Sequence, residues 1–458
     1  MSEPGGSPHP YIPNTASDRA LILERLELAS AGALFADLPE AYRDPHIELP
    51  PALTEPDLLR LVRQQAGKNR DGGDRPSFLG AGAYRRSVPS IVPYLVTRSE
   101  FMTAYTPYQP EISQGTLQTA FEYQSVVCEL TGLDVSNTGL YDGASATAEA
   151  CLLAARVTGR SAVALLEPVH PGILEVVRTY AYGANVRVDA VRDASEVSAE
   201  HACLVVQQPD FLGTIVDVER VAEAAHAAGA LCVVNADPFA LGMLRAPGDA
   251  GADVVTGEGR DLAGGLQFGG PSLGLFAARN EYLRQFPGRI VGRTRELHGP
   301  RDGGGHEQAP RTGYVLTLQA REQFIRRERA TSNVSTAQAL IALAFTIAVQ
   351  ALGPRGLREA AELCYQRAHE AARRIEALPA FEVPSSGPWF QEFLVRGPMR
   401  APELHRRLAE RGIAAGLDVS QRDEPEARDA LLFCVTEATP PEHVDALIDA
   451  LREIGDTL

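Results

Sequence analysis

Lysine is nearly absent from this chain of 458 residues: Lys68 is the only one, and the remaining 42 of its 43 basic residues are arginine. An imine forms on an amine, and a guanidinium, always protonated and weakly nucleophilic, cannot replace it. Covalent amine chemistry is thereby confined to Lys68. That residue lies in the polar loop Gln64-Gln65-Ala66-Gly67-Lys68-Asn69-Arg70-Asp71-Gly72-Gly73-Asp74, ahead of every strand candidate. Compositional drift accounts for much of the arginine excess, but it does not restore an amine.

Other absences narrow the class further. A formal net charge of -16 leaves little basic surface, which argues against nucleic acid or an anionic membrane as partner. The six cysteines, Cys128, Cys151, Cys203, Cys232, Cys364 and Cys434, are far apart and form no CxxC pair, so reduced core residues are expected rather than a metal site. No run of about 18 uncharged apolar residues stands out. The start, Met1-Ser2-Glu3-Pro4-Gly5-Gly6-Ser7-Pro8, shows neither a charged n-region nor an apolar stretch, and a cytoplasmic location is the expectation.

What is present is globular. The hydrophobic fraction is 45 %, and 41 glycines and 32 prolines imply many connections. The length exceeds what one core fills, so two domains plus an extension are expected. Residues 1–95 read as an N-terminal helical arm, with helices near 16–30 and 55–65. Residues 96–334 read as a large α/β domain, with apolar strand candidates at 162–166, 186–191, 203–207, 231–235, 253–256 and 272–277 and helices such as 218–228 between them. Residues 335–458 read as a smaller α/β domain that starts with a long apolar helix over 335–352 and a hinge before the amphipathic helix 356–378. The glycine-rich stretch Arg301-Asp302-Gly303-Gly304-Gly305-His306 reads as an insertion without chemistry.

Four segments offer chemistry. Gly143, Ala144 and Ser145 open a helix after Asp142, where backbone N–H groups and the helix dipole can hold an anion, though such a start is more often a simple N-cap. Asp237 follows the strand 231–235, at the edge where open α/β sheets bind ligands, and could equally be a loop aspartate before Pro238. His170, ahead of Pro171, could stack or hydrogen-bond in the same crevice or be an ordinary loop histidine. The loop 105–115, YTPYQPEISQG, sets Tyr105, Thr106, Tyr108, Gln109, Glu111, Ser113 and Gln114 between prolines, which favours a site-lining or interface role. The glycine-rich loop Leu79-Gly80-Ala81-Gly82-Ala83-Tyr84 is expected to pack beside it.

Together with YTPYQPEISQG, the motifs YIPNT (11–15), FLGAGAY (78–84), FGGPSLGLFA (268–277), LTLQAREQFIRR (316–327) and CVTE (434–437) span the chain. They closely resemble the P-protein of glycine decarboxylase, and specifically the lysine-free subunit of its two-subunit bacterial form. The resemblance implies a fold-type I pyridoxal-phosphate-dependent transferase fold, with a mostly parallel sheet in the large domain. It places the missing Schiff-base lysine near Arg260, leaving Gly143, Ala144, Ser145, His170, Asp237 and Arg260 as a degenerate cofactor pocket. Pyridoxal phosphate then belongs to the lysine-bearing partner subunit, in a pair of heterodimers (α2β2) that decarboxylates glycine and hands the aminomethyl group to the lipoylated H-protein.

In such an assembly this chain is inactive alone, and the residues Tyr105, Thr106, Tyr108, Gln109, Glu111 and Ser113 are expected at the partner's site. Arg85-Arg86-Ser87 and the glycine run 303–305 depart from the family pattern. Two other readings remain: a structural or regulatory subunit that assembles the complex and docks the carrier, and an independent pyridoxal enzyme that uses Lys68.

Overall fold

The computed structural model describes residues 11, 14–43, 48–69, 75–102, 105–299, 308–318, 323–385 and 387–457; the glycine-rich segment 301–306 lies outside them. The chain forms two compact units, Met1–Arg70 and Asp71–Leu458. In the first, helix α1 (Ala16–Arg25) begins at a reciprocal cap: Thr15 Oγ accepts the Asp18 N–H, and the Asp18 carboxylate accepts the Thr15 N–H at 2.8 Å. Helix α2 (Glu55–Ala66) is capped by Thr54, whose Oγ accepts the Asp57 N–H, with Pro56 in its first turn. Neither helix buries a residue.

The second unit opens with the short helices α3 (Ile91–Val96) and α4 (Ser99–Met102) and the longer α5 (Gln114–Thr131). Its centre is a sheet of β1 (Val135–Ser136), β2 (Ala162–Leu166), β3 (Arg187–Val191), β4 (His201–Gln208), β5 (Leu231–Ala236), β6 (Val254–Glu258) and β7 (Gly274–Ala278), in the spatial order β1-β7-β6-β5-β4-β2-β3. Strands β3, β2, β4, β5 and β6 are parallel, while β7 and β1 are antiparallel additions at one edge. All six predicted strands form, with ends displaced by at most two residues. Their alternate side chains feed two cores. On β4, Leu204 and Val206 pack with α5, helix α8 (Val218–Ala227) and helix α10 (Ala339–Glu376), whereas Cys203 and Val205 pack with α6 (Gly143–Thr158) and α7 (Pro171–Gly183). The one-turn helix α9 (Arg260–Ala263) follows β6 directly.

After β7 a hairpin of β8 (Ile290–Arg295) and β9 (Thr312–Thr317) leads to α10, whose uncharged first half makes it the one helix among the described residues long and apolar enough to cross a membrane. This corrects the expectation that no such run exists, since residues 334–354 contain no charged side chain. Its Ala342, Phe345, Ala348 and Val349 face the core, so its apolar face is covered by the fold. The expected hinge is a break at Gly353, φ 64°, followed by Pro354.

Strand β10 (Glu392–Arg396), helix α11 (Ala401–Glu410), β11 (Leu417–Asp418), β12 (Ala430–Cys434) and helix α12 (Pro441–Asp456) form the small C-terminal layer, an antiparallel sheet in the order β10-β12-β11. Residues 75–95, read from sequence with the arm, belong to the second unit. Ser77 bridges Ala414, and the fully buried Phe78 sits in the C-terminal core against Phe433.

The small layer meets the large sheet at Gly213, φ 93°, where a Cβ would lie 2.2 Å from the Glu392 carbonyl oxygen. Gly412, φ 79°, has open space around its Cβ position. Gly213→Ala is expected to cost about 3 kcal/mol, because clash adds to left-handed strain, and Gly412→Ala about 1 kcal/mol from strain alone. Thermal unfolding midpoints of the two variants check this, and equal shifts would refute the steric part.

Candidate active site and its electrostatics

The carboxyl ends of the parallel strands open onto a cavity of 510 Å³, roofed by Phe390, Gln391 and Glu392 of the small layer. Each wall has a local cause. Asp142, extended, caps α6 by accepting the Ser145 N–H at 2.7 Å, so Gly143 and Ala144 present the helix start to the cavity. His170 caps α7, its Nδ1 accepting the Gly172 N–H at 3.0 Å. Strand β5 delivers Asp237, and β6 delivers Glu258 and then Arg260. Five of the six sequence-predicted pocket residues, Gly143, Ala144, His170, Asp237 and Arg260, therefore share one cavity. Ser145 sits one residue behind, inside the capping box.

Most of these groups already have protein partners. With Nδ1 accepting, His170 is the tautomer that donates from Nε2, here to the Ala81 carbonyl at 3.1 Å; burial also lowers its pKa, keeping the ring neutral. Asp237 accepts from Arg86 Nη2 at 3.3 Å and Gln391 Nε2 at 3.1 Å, and its other oxygen takes the Phe239 N–H. The Arg86 guanidinium is 1 % exposed, lies 3.8 Å from the centre of the Phe239 ring, and also donates to Glu437 at 3.2 Å. Burial disfavours its charge, but Asp237 and Glu437 outweigh that and hold it protonated. Arg260 turns aside, donating from Nε to Asp261 and from Nη2 to the Gly82 carbonyl, both at 3.2 Å.

Glu258 closes the helix start. Its carboxylate accepts the N–H groups of Gly143 at 3.1 Å, Arg260 at 2.9 Å and Leu273 at 2.9 Å. Burial raises its pKa, and these three bonds oppose the rise. Across the cavity, Tyr84 Oη donates to Glu392 at 2.8 Å, and the same carboxylate accepts the Ala81 N–H. The loop 79–84 thus packs on this cavity, not beside the loop 105–115 as expected.

Tested against a phosphate-bearing pyridoxal cofactor, these residues do not fit. No lysine lines the cavity, the first N–H of α6 is bonded to Glu258, and Asp237 is engaged by Arg86. Asp142, Asp210, Asp237, Glu258, Asp261 and Glu392 face a single lining arginine, Arg260, which disfavours a dianion. Tyr84, Arg86, Glu258, Glu392 and Glu437 were not assigned roles from the sequence. Tyr84 and Glu437 lie inside the motifs FLGAGAY and CVTE, and Arg86 lies in the Arg85-Arg86-Ser87 departure, so the signal was present without its meaning.

The loop 105–115 lies elsewhere. Tyr105 and Thr106 line a second cavity of 460 Å³ with Thr116, Tyr123, Arg289 and Leu343. The loop is held firmly: Gln114 Nε2 donates to the carbonyls of Pro110 at 2.7 Å and Tyr314 at 2.9 Å, and Arg289 donates to Tyr108 Oη at 2.9 Å. Tyr105 is nonetheless 83 % exposed and Ile112 81 %. Gln109 closes a turn through its carbonyl to the Ile112 N–H, Ser113 precedes α5 without capping it through its side chain, and Glu111 is exposed.

Burial drives the Glu392 carboxyl up to about 7, from an ordinary value of 4.5. A proton held more tightly in the folded state stabilises fully below pH 4.5, and that stabilisation is lost as pH rises through about 7. The melting temperature of Glu392→Gln relative to the parent chain is therefore expected to rise between pH 4.5 and 7 and then level off. A constant difference across that window would exclude Glu392 as the titrating group.

Comparison with known proteins agrees with this architecture. The chain is 46 % identical, over 97 % of its length and 99 % of the relative, to a probable glycine dehydrogenase (decarboxylating) subunit 1 of Thermomicrobium roseum. It is 45 % identical over the same shares to the corresponding protein of Moorella thermoacetica. A crystal structure of a glycine decarboxylase (P-protein) of the glycine cleavage system, in inhibitor-bound form, superposes with a TM-score of 0.84 at 40 % identity, covering 97 % of this chain and 100 % of that one. A cystine C-S lyase with glycine covalently linked to its pyridoxal-phosphate cofactor shares the fold alone, at 14 % identity and a TM-score of 0.57 over 83 % of this chain and 97 % of that one. With a family model described as the glycine cleavage system P-protein matching residues 9–451, the chain belongs to that family.

Proposed function

We propose that this chain is the subunit of a heteromeric decarboxylating glycine dehydrogenase that does not hold the cofactor, and that the lysine-bearing partner subunit does. One observation carries the division of labour: the cavity at the strand ends has no amine, and its helix start is occupied by the chain's own Glu258. When bound in the partner, pyridoxal phosphate supplies the electron sink for loss of carbon dioxide from glycine. This chain contributes surface and positioning. The subunits pair as α2β2, and the lipoylated H-protein takes the aminomethyl group.

Within that assembly the loop 105–115 is the part of this chain offered to the partner's site. It combines exposed side chains, Tyr105 and Ile112, with a backbone pinned by Gln114 to Tyr314, a combination suited to holding another molecule's groups without ordering cost on contact. Thr106, Tyr108, Gln109, Glu111 and Ser113 complete the face. The unburied α1 and α2, with Leu21 67 % and Leu58 49 % exposed, add apolar surface suited to subunit contact.

Glycine-dependent exchange of labelled bicarbonate, with lipoylated carrier present, tests the division. Exchange is expected only when this chain and the partner are mixed. Exchange by this chain alone would overturn the proposal, and no gain over the partner alone would make the chain dispensable.

For the loop, Tyr108→Phe combined with Glu111→Gln is expected to lower turnover of the assembled complex by about tenfold, the weight of one or two positioned polar contacts, without changing its mass by sedimentation. Unchanged turnover would remove the loop from the site. Turnover lost only together with assembly would leave this chain a structural and carrier-docking role.

A further inference from the structure

We infer that Glu258 is a built-in substitute for a cofactor phosphate: its carboxylate occupies the anion seat at the start of α6 and thereby keeps phosphate-bearing cofactors out of this chain. The inference rests on the reading that the partner alone holds pyridoxal phosphate, and it names the residue responsible.

A helix start supplies unsatisfied N–H groups and a partial positive charge, and an anion normally completes it. In α6, a helix of 16 residues, the Gly143 N–H goes to Glu258 and the Ser145 N–H to Asp142. Glu258 collects two more N–H groups, from Arg260 and Leu273, so donors from three separate segments converge on one carboxylate. Such convergence is what a bound oxyanion would otherwise require.

Space agrees with charge. A Cβ on Gly143 would lie 3.0 Å from the Glu258 nitrogen and 3.0 Å from the Gly257 carbonyl carbon, so the helix start abuts the end of β6 and leaves no room there for a phosphate group beside the glutamate. Asp142, the N-cap itself, and the other carboxylates lining the cavity add repulsion. Losing lysine would by itself abolish only the covalent link. Glu258 acts on the non-covalent binding that would survive that loss.

The test uses the full chain, prepared without its partner, with pyridoxal phosphate and with pyridoxal, which lacks the phosphate, titrated by calorimetry. Two variants, Glu258→Ser and the isosteric Glu258→Gln, are followed by circular dichroism, and the second carries the test should the first not fold. The parent chain is expected to bind neither compound. Glu258→Ser should gain at least about tenfold in affinity for pyridoxal phosphate and nothing for pyridoxal, with Glu258→Gln between.

In the assembled complex, cofactor per heterodimer should rise from one in the parent toward two in the variant. No gain in either variant, or an equal gain for pyridoxal, overturns the role of Glu258 while leaving the division between subunits intact. Stoichiometric binding of pyridoxal phosphate by the parent chain overturns both.

Discussion

A single buried cation holds the second unit's parts in register. Arg86 leaves the segment after the FLGAGAY motif, lies against the Phe239 ring, and reaches Asp237 at the end of β5 and Glu437 just beyond β12. Glu437 also receives the Ser87 N–H at 2.7 Å and the Cys364 thiol of α10. Large sheet, long helix and small layer thus converge on one guanidinium with 1 % of its surface exposed. A buried charge is tolerated only when its partners are fixed, and removing one member leaves another charge unpaired at a cost of about 3 to 5 kcal/mol. The geometry of the cavity depends on this arrangement, because the carboxylate that would face a ligand is the one that anchors the cation.

The fold was legible where local chemistry and tertiary environment agree. Strands such as β4 and β5 have continuously apolar centres, 202–206 and 231–234, because both faces are covered there. Strand β1, two residues long, has no pattern to read. The start of helix α6 is legible as a helix opening after Asp142, but its small residues serve simple caps as well as anion sites, so its use is not. The uncharged first half of α10 is a continuous apolar helix even though Thr346 and Gln350 punctuate its sequence.

The site was legible in position and not in partnership. Asp237, His170 and Arg260 follow strands, and strand ends meet at one edge of an open sheet, so their meeting was a matter of topology. What each one bonds depends on residues 89 to 178 positions away in the chain, such as the Ala81 carbonyl for His170 and the Gly82 carbonyl for Arg260. No spacing rule carries that information. Arg86 stands in a departure from the family pattern, and only the fold shows that it pairs with Asp237 and Glu437. Likewise nothing in the sequence singles out Glu258 or Glu392 until the fold brings backbone N–H groups to them.

A cavity whose helix start and acidic groups are held from within, as Glu258 and Asp237 are here, gains stability from a dissolved ligand only if that ligand binds the folded state. If, as proposed, the three backbone bonds to Glu258 keep the cofactor out, the ripening of this subunit is indifferent to vitamin supply. Under that proposal folded copies would accumulate while cofactor is scarce, and the assembly's dependence on that nutrient would fall on the other polypeptide.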